Sequence, residues 1–247
     1  MNLDFDHDNN SMICQKYEII CGFRVKLIPQ KPDYLPISQE EFVDRTLEAW
    51  TQGDKNARIS AVFHGGEREW AALWNDESYS VRGAAACFAS EEYQLKLVSD
   101  PITQVRDRLA VYGTDRVRLA LMERGEDNEN VLINIAKYGS ASIRRRLVDM
   151  AWEQPLVLIK CDPYLHASCV EKLMGHPDTD VRVHAALHGT RDQCSRVLVL
   201  PESMDNLAAL LMRSCLTDRI HELDEVENAI NFGKTITRKK QEMELST

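Results

Sequence analysis

The sequence predicts an all-α solenoid of about seven two-helix repeats, each 24–26 residues long, carrying a small β-hairpin extension at its N-terminal end. Two observations predict the solenoid. Val-Arg-x-x-Ala-Ala-like segments recur with starts at Ala57, Val81, Val105, Val131, Val157, Val181 and Asn206, stepping by 24, 24, 26, 26, 24 and 25 residues. A second apolar pair follows each copy, at Leu73-Trp74, Leu97-Val98, Leu121-Met122, Leu147-Val148, Leu173-Met174 and Val197-Leu198. Every repeat therefore reads as a short helix, a turn, a second short helix and a polar link. A single repeat cannot bury both helices alone, so the copies must stack.

The chain divides in order into an extension (1–37), a capping helix (38–56), the repeats (57–218) and a closing helix with a polar tail (219–247). In the extension, Tyr17–Ile20 and Phe23–Ile28 flank Cys21-Gly22, which predicts a hairpin that holds only if it docks on the first helices. Pro29, Pro32 and Pro36 make an extended connector. Ser38 with Glu41 has the spacing of a capping box opening a helix through about Trp50.

Within the repeats, column one is Ala57, Val81, Val105, Val131, Val157 and Val181. Column five is Ala61, Ala85, Leu109, Ile135, Cys161, Ala185 and Leu210. Column six is small in most copies, at Ala86, Ala110, Ala136 and Ala186. Positions one, five and six place one apolar stripe on one helix face, and small residues let neighbouring helices approach. Column eight carries a ring: His64, Phe88, Tyr112, Tyr138, Tyr164 and His188. Glycine follows at Gly65, Gly113, Gly139 and Gly189, which predicts a left-handed helix cap. Asp162 and Pro163 fall inside the first helix of the fifth repeat and predict a kink there. Arg219–Phe232 reads as the closing helix, and Lys234–Thr247 as a frayed polar tail.

Val105-Arg106 after Asp100-Pro101, Val81-Arg82 after Asp76, and Val181-Arg182 after His176-Pro177, together with the alanine column, resemble the leucine-rich variant repeat, akin to HEAT repeats. The resemblance covers roughly residues 54–225 and implies a right-handed superhelix. Leu132 and Leu158 depart from it, standing where arginine is expected. The family's founding member adds an iron–sulfur module; Cys14 and Cys21 are too few to ligate a four-cysteine cluster, so no cofactor is expected.

Composition narrows the function. Net charge is −9 over 247 residues, which disfavours non-specific attraction to nucleic acid or anionic lipid. Seven cysteines, odd in number and scattered, read as reduced thiols. No signal peptide or span of about 18 apolar residues is evident, so a soluble cytoplasmic protein is expected.

The arginine column (Arg58, Arg82, Arg106, Arg182) reads either as an anion-binding ladder or as ion pairs fixing the stack, with Asp76 and Asp100 each six residues before its arginine. Arg144, Arg145 and Arg146 form the densest basic cluster. Glu126 and Asp127 sit in a link that the longer third repeat should push outward as a loop. Tyr112 and Tyr138 are candidate contacts from the ring column. His184 and His188, four apart on one helix, can face one zinc ion but lack the glutamate of a metalloprotease helix, and ordinary packing is the expectation. No phosphate loop, nucleophile elbow or carboxylate pair is present. The expected function is non-catalytic protein binding, as an adaptor, inhibitor or immunity-type protein of a bacterial or phage conflict system. Its candidate contacts are Arg58, Arg82, Arg106, Arg144, Arg145, Arg146, Arg182, Tyr112, Tyr138, His188, Glu126 and Asp127. The alternative is nucleic-acid binding through the arginine column and Arg144–Arg146.

Overall fold

The computed structural model describes residues 17–198 and 207–244, less the side chains of 166–168, 207–212, 233 and 235–244. The readings made on Met1–Asp6, Cys14 and the start of the seventh repeat at Asn206 lie outside those residues. The described chain is predominantly helical with one two-stranded antiparallel sheet. It forms two compact units, residues 1–126 and 127–247.

The N-terminal unit opens with the hairpin, β1 (Tyr17–Ile20) and β2 (Phe23–Lys26), paired Tyr17 to Lys26 through Ile20 to Phe23. Cys21 (φ 51°) and Gly22 (φ 77°) make the tight left-handed turn that such a two-residue loop requires. Helix α1 (Gln39–Thr51) starts at Ser38, whose hydroxyl accepts from Glu41 N. The reciprocal half of the expected capping box is missing, because the Glu41 carboxylate pairs with Arg45 instead.

Three repeats follow: α2 (Lys55–His64) with α3 (Glu67–Leu73), α4 (Tyr79–Phe88) with α5 (Glu91–Lys96), and α6 (Thr103–Tyr112) with α7 (Asp115–Glu123). First helices pack on first helices, α2 on α4 and α4 on α6. The C-terminal unit continues with α8 (Glu129–Tyr138), α9 (Ala141–Met150), α10 (Pro155–Leu173), α11 (Thr179–Leu187), α12 (Arg191–Leu198) and α13 (Leu207–Glu244). There α10 packs on both α8 and α11. Columns one and five are buried in all six described copies, as are Leu73, Leu97, Leu121, Leu147, Leu173 and Val197 of the second helices. Apolar burial of this kind supplies most of the stabilisation.

A bond not expected from the repeat pattern holds each helix pair together. The column-six carbonyl, near the end of the first helix where intrahelical donors run out, accepts from the side chain eight residues later. The donors are Trp70 to Val62 O (2.9 Å), Gln94 to Ala86 O (3.1 Å), Arg118 to Ala110 O (2.8 Å), Arg144 to Ala136 O (2.8 Å) and Cys194 to Ala186 O (2.9 Å).

The fifth repeat lacks this device. Val170 occupies the donor position and Leu165 the glycine position, so nothing ends the first helix. Rather than two helices divided by a turn, α10 runs for 19 residues with Pro163 inside it. The proline gives up one backbone bond and faces solvent. Two further expectations are corrected. The closing helix does not end at Phe232: α13 runs for 38 residues to Glu244, joining the seventh repeat to the tail in one helix. The punctuating glycines are not left-handed caps: Gly113 (φ −71°, ψ 165°) and Gly139 (φ −74°, ψ 156°) are extended. Ala89 takes the same angles in the second repeat. Space is the reason for glycine, since a Cβ on Gly113 would lie 2.8 Å from Val117 Cγ1 and one on Gly139 2.7 Å from Ile143 Cγ2.

Candidate functional site

The arginine column is engaged inside the fold. Arg58 meets Asp76 (2.7 Å), Arg82 meets Asp100 (2.6 Å) and Arg106 meets Glu126 (2.7 Å). The register differs from the expected pairing across six residues. Each arginine takes the carboxylate 18 or 20 residues ahead, at the end of its own repeat. Across the six-residue step it takes only the backbone: Arg82 Nη1 donates to Asp76 O (2.8 Å) and Arg106 Nη1 to Asp100 O (2.9 Å). Arg182 likewise donates to His176 O and Pro177 O, both at 2.7 Å, and to Thr179 Oγ1. One guanidinium thus ties the turn before its repeat to the turn after it. Glu126 accordingly is a buried partner of Arg106 rather than part of a projecting loop, whereas Asp127 is exposed. In the basic cluster Arg144 caps Ala136 O, while Arg145 and Arg146 face solvent.

Columns four and eight do something different. In the N-terminal unit they hold the hairpin by its main chain. Ser60 Oγ (column four) accepts from Lys26 N at 2.8 Å, and His64 Nε2 (column eight) donates to Lys26 O at 2.9 Å. Arg108 Nη1 (column four) donates to Cys21 O at 2.8 Å while its guanidinium lies 4.1 Å from the Phe23 ring centroid. Phe88 (column eight) meets the Phe23 ring edge-on at 6.3 Å. The Tyr112 phenol, hydrogen-bonded to Cys21 and partly desolvated, is pushed up to about 12. Phe23 and Val25 are buried by this docking, which supplies the support an isolated hairpin lacks.

No protein-family model matches the sequence, and comparison with curated proteins and with solved structures returns no match.

In the C-terminal unit the same two columns are Asn134, Lys160 and His184, and Tyr138, Tyr164 and His188. Among the described residues the one sheet is the hairpin of the N-terminal unit. Tyr138 is 43% exposed. Lys137 Nζ lies 5.1 Å from its ring centroid and 5.9 Å from that of Tyr164, and its ammonium is held above its ordinary range by the Tyr138 hydroxyl. Lys160 pairs with Glu129.

Beneath this face lies the one acid in column six. Asp162 is buried, where the other copies have Val62, Ala86, Ala110, Ala136 and Ala186, each 0% exposed. Its Oδ2 is 3.0 Å from His188 Nε2 and 3.9 Å from His184 Nδ1, and its Oδ1 has no hydrogen-bond partner. Burial pushes the carboxyl up from 3.8 to about 7. His184 and His188 share a face, as their spacing predicts, but nothing in that spacing points to this carboxylate. Among the described residues no three His, Cys, Asp or Glu side chains are placed to hold a metal ion, and no helix is long and apolar enough to cross a membrane.

Proposed function

We propose that the chain is a non-catalytic protein-binding module of short helical repeats. Its C-terminal unit lays an extended stretch of another polypeptide across columns four and eight. The supporting observation is that the equivalent columns of the N-terminal unit already grip polypeptide main chain through Ser60, His64 and Arg108. Backbone recognition of this type needs a polar side chain at each step and rings to cover the strand's apolar residues. His184, His188, Tyr138 and Tyr164 offer that chemistry. The solenoid reading, right-handed within each unit, rests on the resemblance to leucine-rich variant repeats and on the packing of first helix on first helix. An adaptor, inhibitor or immunity role in the cytoplasm fits the acidic charge.

A photo-cross-linking amino acid at Tyr138 tests the proposal in the native cell, with a second at Met150, exposed on α9. A discrete cross-linked protein from Tyr138 and none from Met150 is expected. Equal cross-linking at both positions, none at Tyr138, or capture of nucleic acid there overturns it.

A further inference from the structure

Column-eight histidines occur in both units, and the same ring atom meets a different acceptor in each. His64 Nε2 donates to the carbonyl of docked main chain, Lys26 O, at 2.9 Å. His188 Nε2 is turned onto Asp162 at 3.0 Å. Asp162 stands in a column where alanine suffices in four other repeats. A buried carboxylate with an orphan oxygen costs stability that alanine would not, so packing alone does not account for it.

We propose that Asp162 is a proton-operated latch: it keeps the His188 imidazole from incoming main chain, and acidification releases the ring to bind. This rests on the reading of the α8–α10–α11 face as a polypeptide-binding surface and adds its regulation.

The chemistry follows from counting protons on the pair. With the carboxyl ionised, its Oδ2 accepts from His188 Nε2–H in a charge-assisted bond. One added proton can be shared between the two groups. With two, the carboxyl is neutral and the ring is an imidazolium, so the attraction collapses to an ordinary hydrogen bond. The cation, 38% exposed, then gains by turning to water or to a partner's carbonyl. Burial, which raises Asp162 to about 7, favours the neutral carboxyl that release requires. The remaining charged and titratable groups on the packed elements are mostly committed elsewhere. His184 from α11 lies 3.9 Å from the same oxygen. Lys137 of α8 lies by Tyr138 and Tyr164, and Lys160 pairs with Glu129 across α8 and α10. Lys172 pairs with Asp149 of α9, and Glu171 with Arg196 of α12.

The test has two arms on the full chain. NMR titration of the His188 ring from pH 8.5 to pH 5 should show a two-step curve, collapsing to one step in Asp162→Asn; superimposable curves overturn the latch. The cross-linking yield from the Tyr138 probe should rise from pH 8 to pH 6, by up to about tenfold per pH unit for each proton that release takes up. In Asp162→Asn the yield should be high at both. A pH-independent yield in the parent chain overturns the latch alone. No product at either pH, in either protein, overturns the binding surface and the latch together.

Discussion

Replacing Asp162 by alanine should make the protein more stable, and increasingly so as the pH rises. The substitution restores the residue that column six carries in four other repeats. At pH values below 3.8 the carboxyl is protonated in both folded and unfolded chains. As the pH climbs from 3.8 towards 7 the unfolded chain ionises first, because the folded carboxyl is held up near 7. Folded-state stability contributed by the proton is lost across that window and stays lost above it. Raising the carboxyl by about three pH units corresponds to about 4 kcal/mol at 1.36 kcal/mol per unit. The contact with His188 Nε2 at 3.0 Å returns part of this, so a net gain of about 2 kcal/mol at pH 8 is expected, falling below about 1 kcal/mol at pH 4. For a chain of this size that is a rise in midpoint of about 4–8 °C. Thermal and urea unfolding at pH 4, 6 and 8, followed by circular dichroism, measure it, with Asp162→Asn separating charge from shape. An alanine variant that is less stable at pH 8, or a difference that does not grow with pH, would refute the reasoning.

Three further outcomes follow from the packing. Arg106→Met should cost about 3–5 kcal/mol by stranding the buried Glu126 carboxylate, and adding Glu126→Met should recover most of the loss; urea unfolding of the single and double variants reads both. Gly139→Ala should destabilise by about 1–3 kcal/mol, because its methyl would meet Ile143 Cγ2 at 2.7 Å. Gly22→Ala, with open space but φ 77°, should cost only about 1 kcal/mol of backbone strain. In native protein at pH 8 a maleimide should label exposed Cys215 quickly and leave Cys87 and Cys161 unmodified until unfolding, since burial pushes both thiols up to about 12; mass spectrometry of timed aliquots checks the order.

Much of the helical framework was legible because its cause is periodic. Columns one and five are apolar in every described copy, and all are buried. The hairpin was legible from two short apolar runs about Cys21-Gly22, though where it docks was not, since that depends on side chains 34 to 87 residues away. What stayed hidden was whatever depends on chemically dissimilar residues sharing one task. Trp70, Gln94, Arg118, Arg144 and Cys194 all cap the carbonyl eight residues back, but have nothing in common except a donor. Missing that bond, the reading divided the fifth repeat into two helices, whereas Val170 leaves α10 without a stop. The arginine pairs were foreseen, but in the wrong register, because a guanidinium has enough donors to hold the earlier carbonyl and the later carboxylate together. Asp162 looked like an interruption in sequence; its meaning lies in the histidines one helix away.

The arginine ties are unevenly distributed, and this bears on how each unit would answer a pulling force. In the N-terminal unit, Arg58, Arg82 and Arg106 rivet three successive turns. In the C-terminal unit the matching places at the fourth and fifth repeats are Leu132 and Leu158, which grip by apolar contact, and an arginine returns at Arg182 of the sixth. Apolar contacts are non-directional, so they let neighbouring helices slide where charge-assisted bonds would hold register. Stretched along its length, the N-terminal unit should resist to a sharp yield point, and the C-terminal unit should give way gradually.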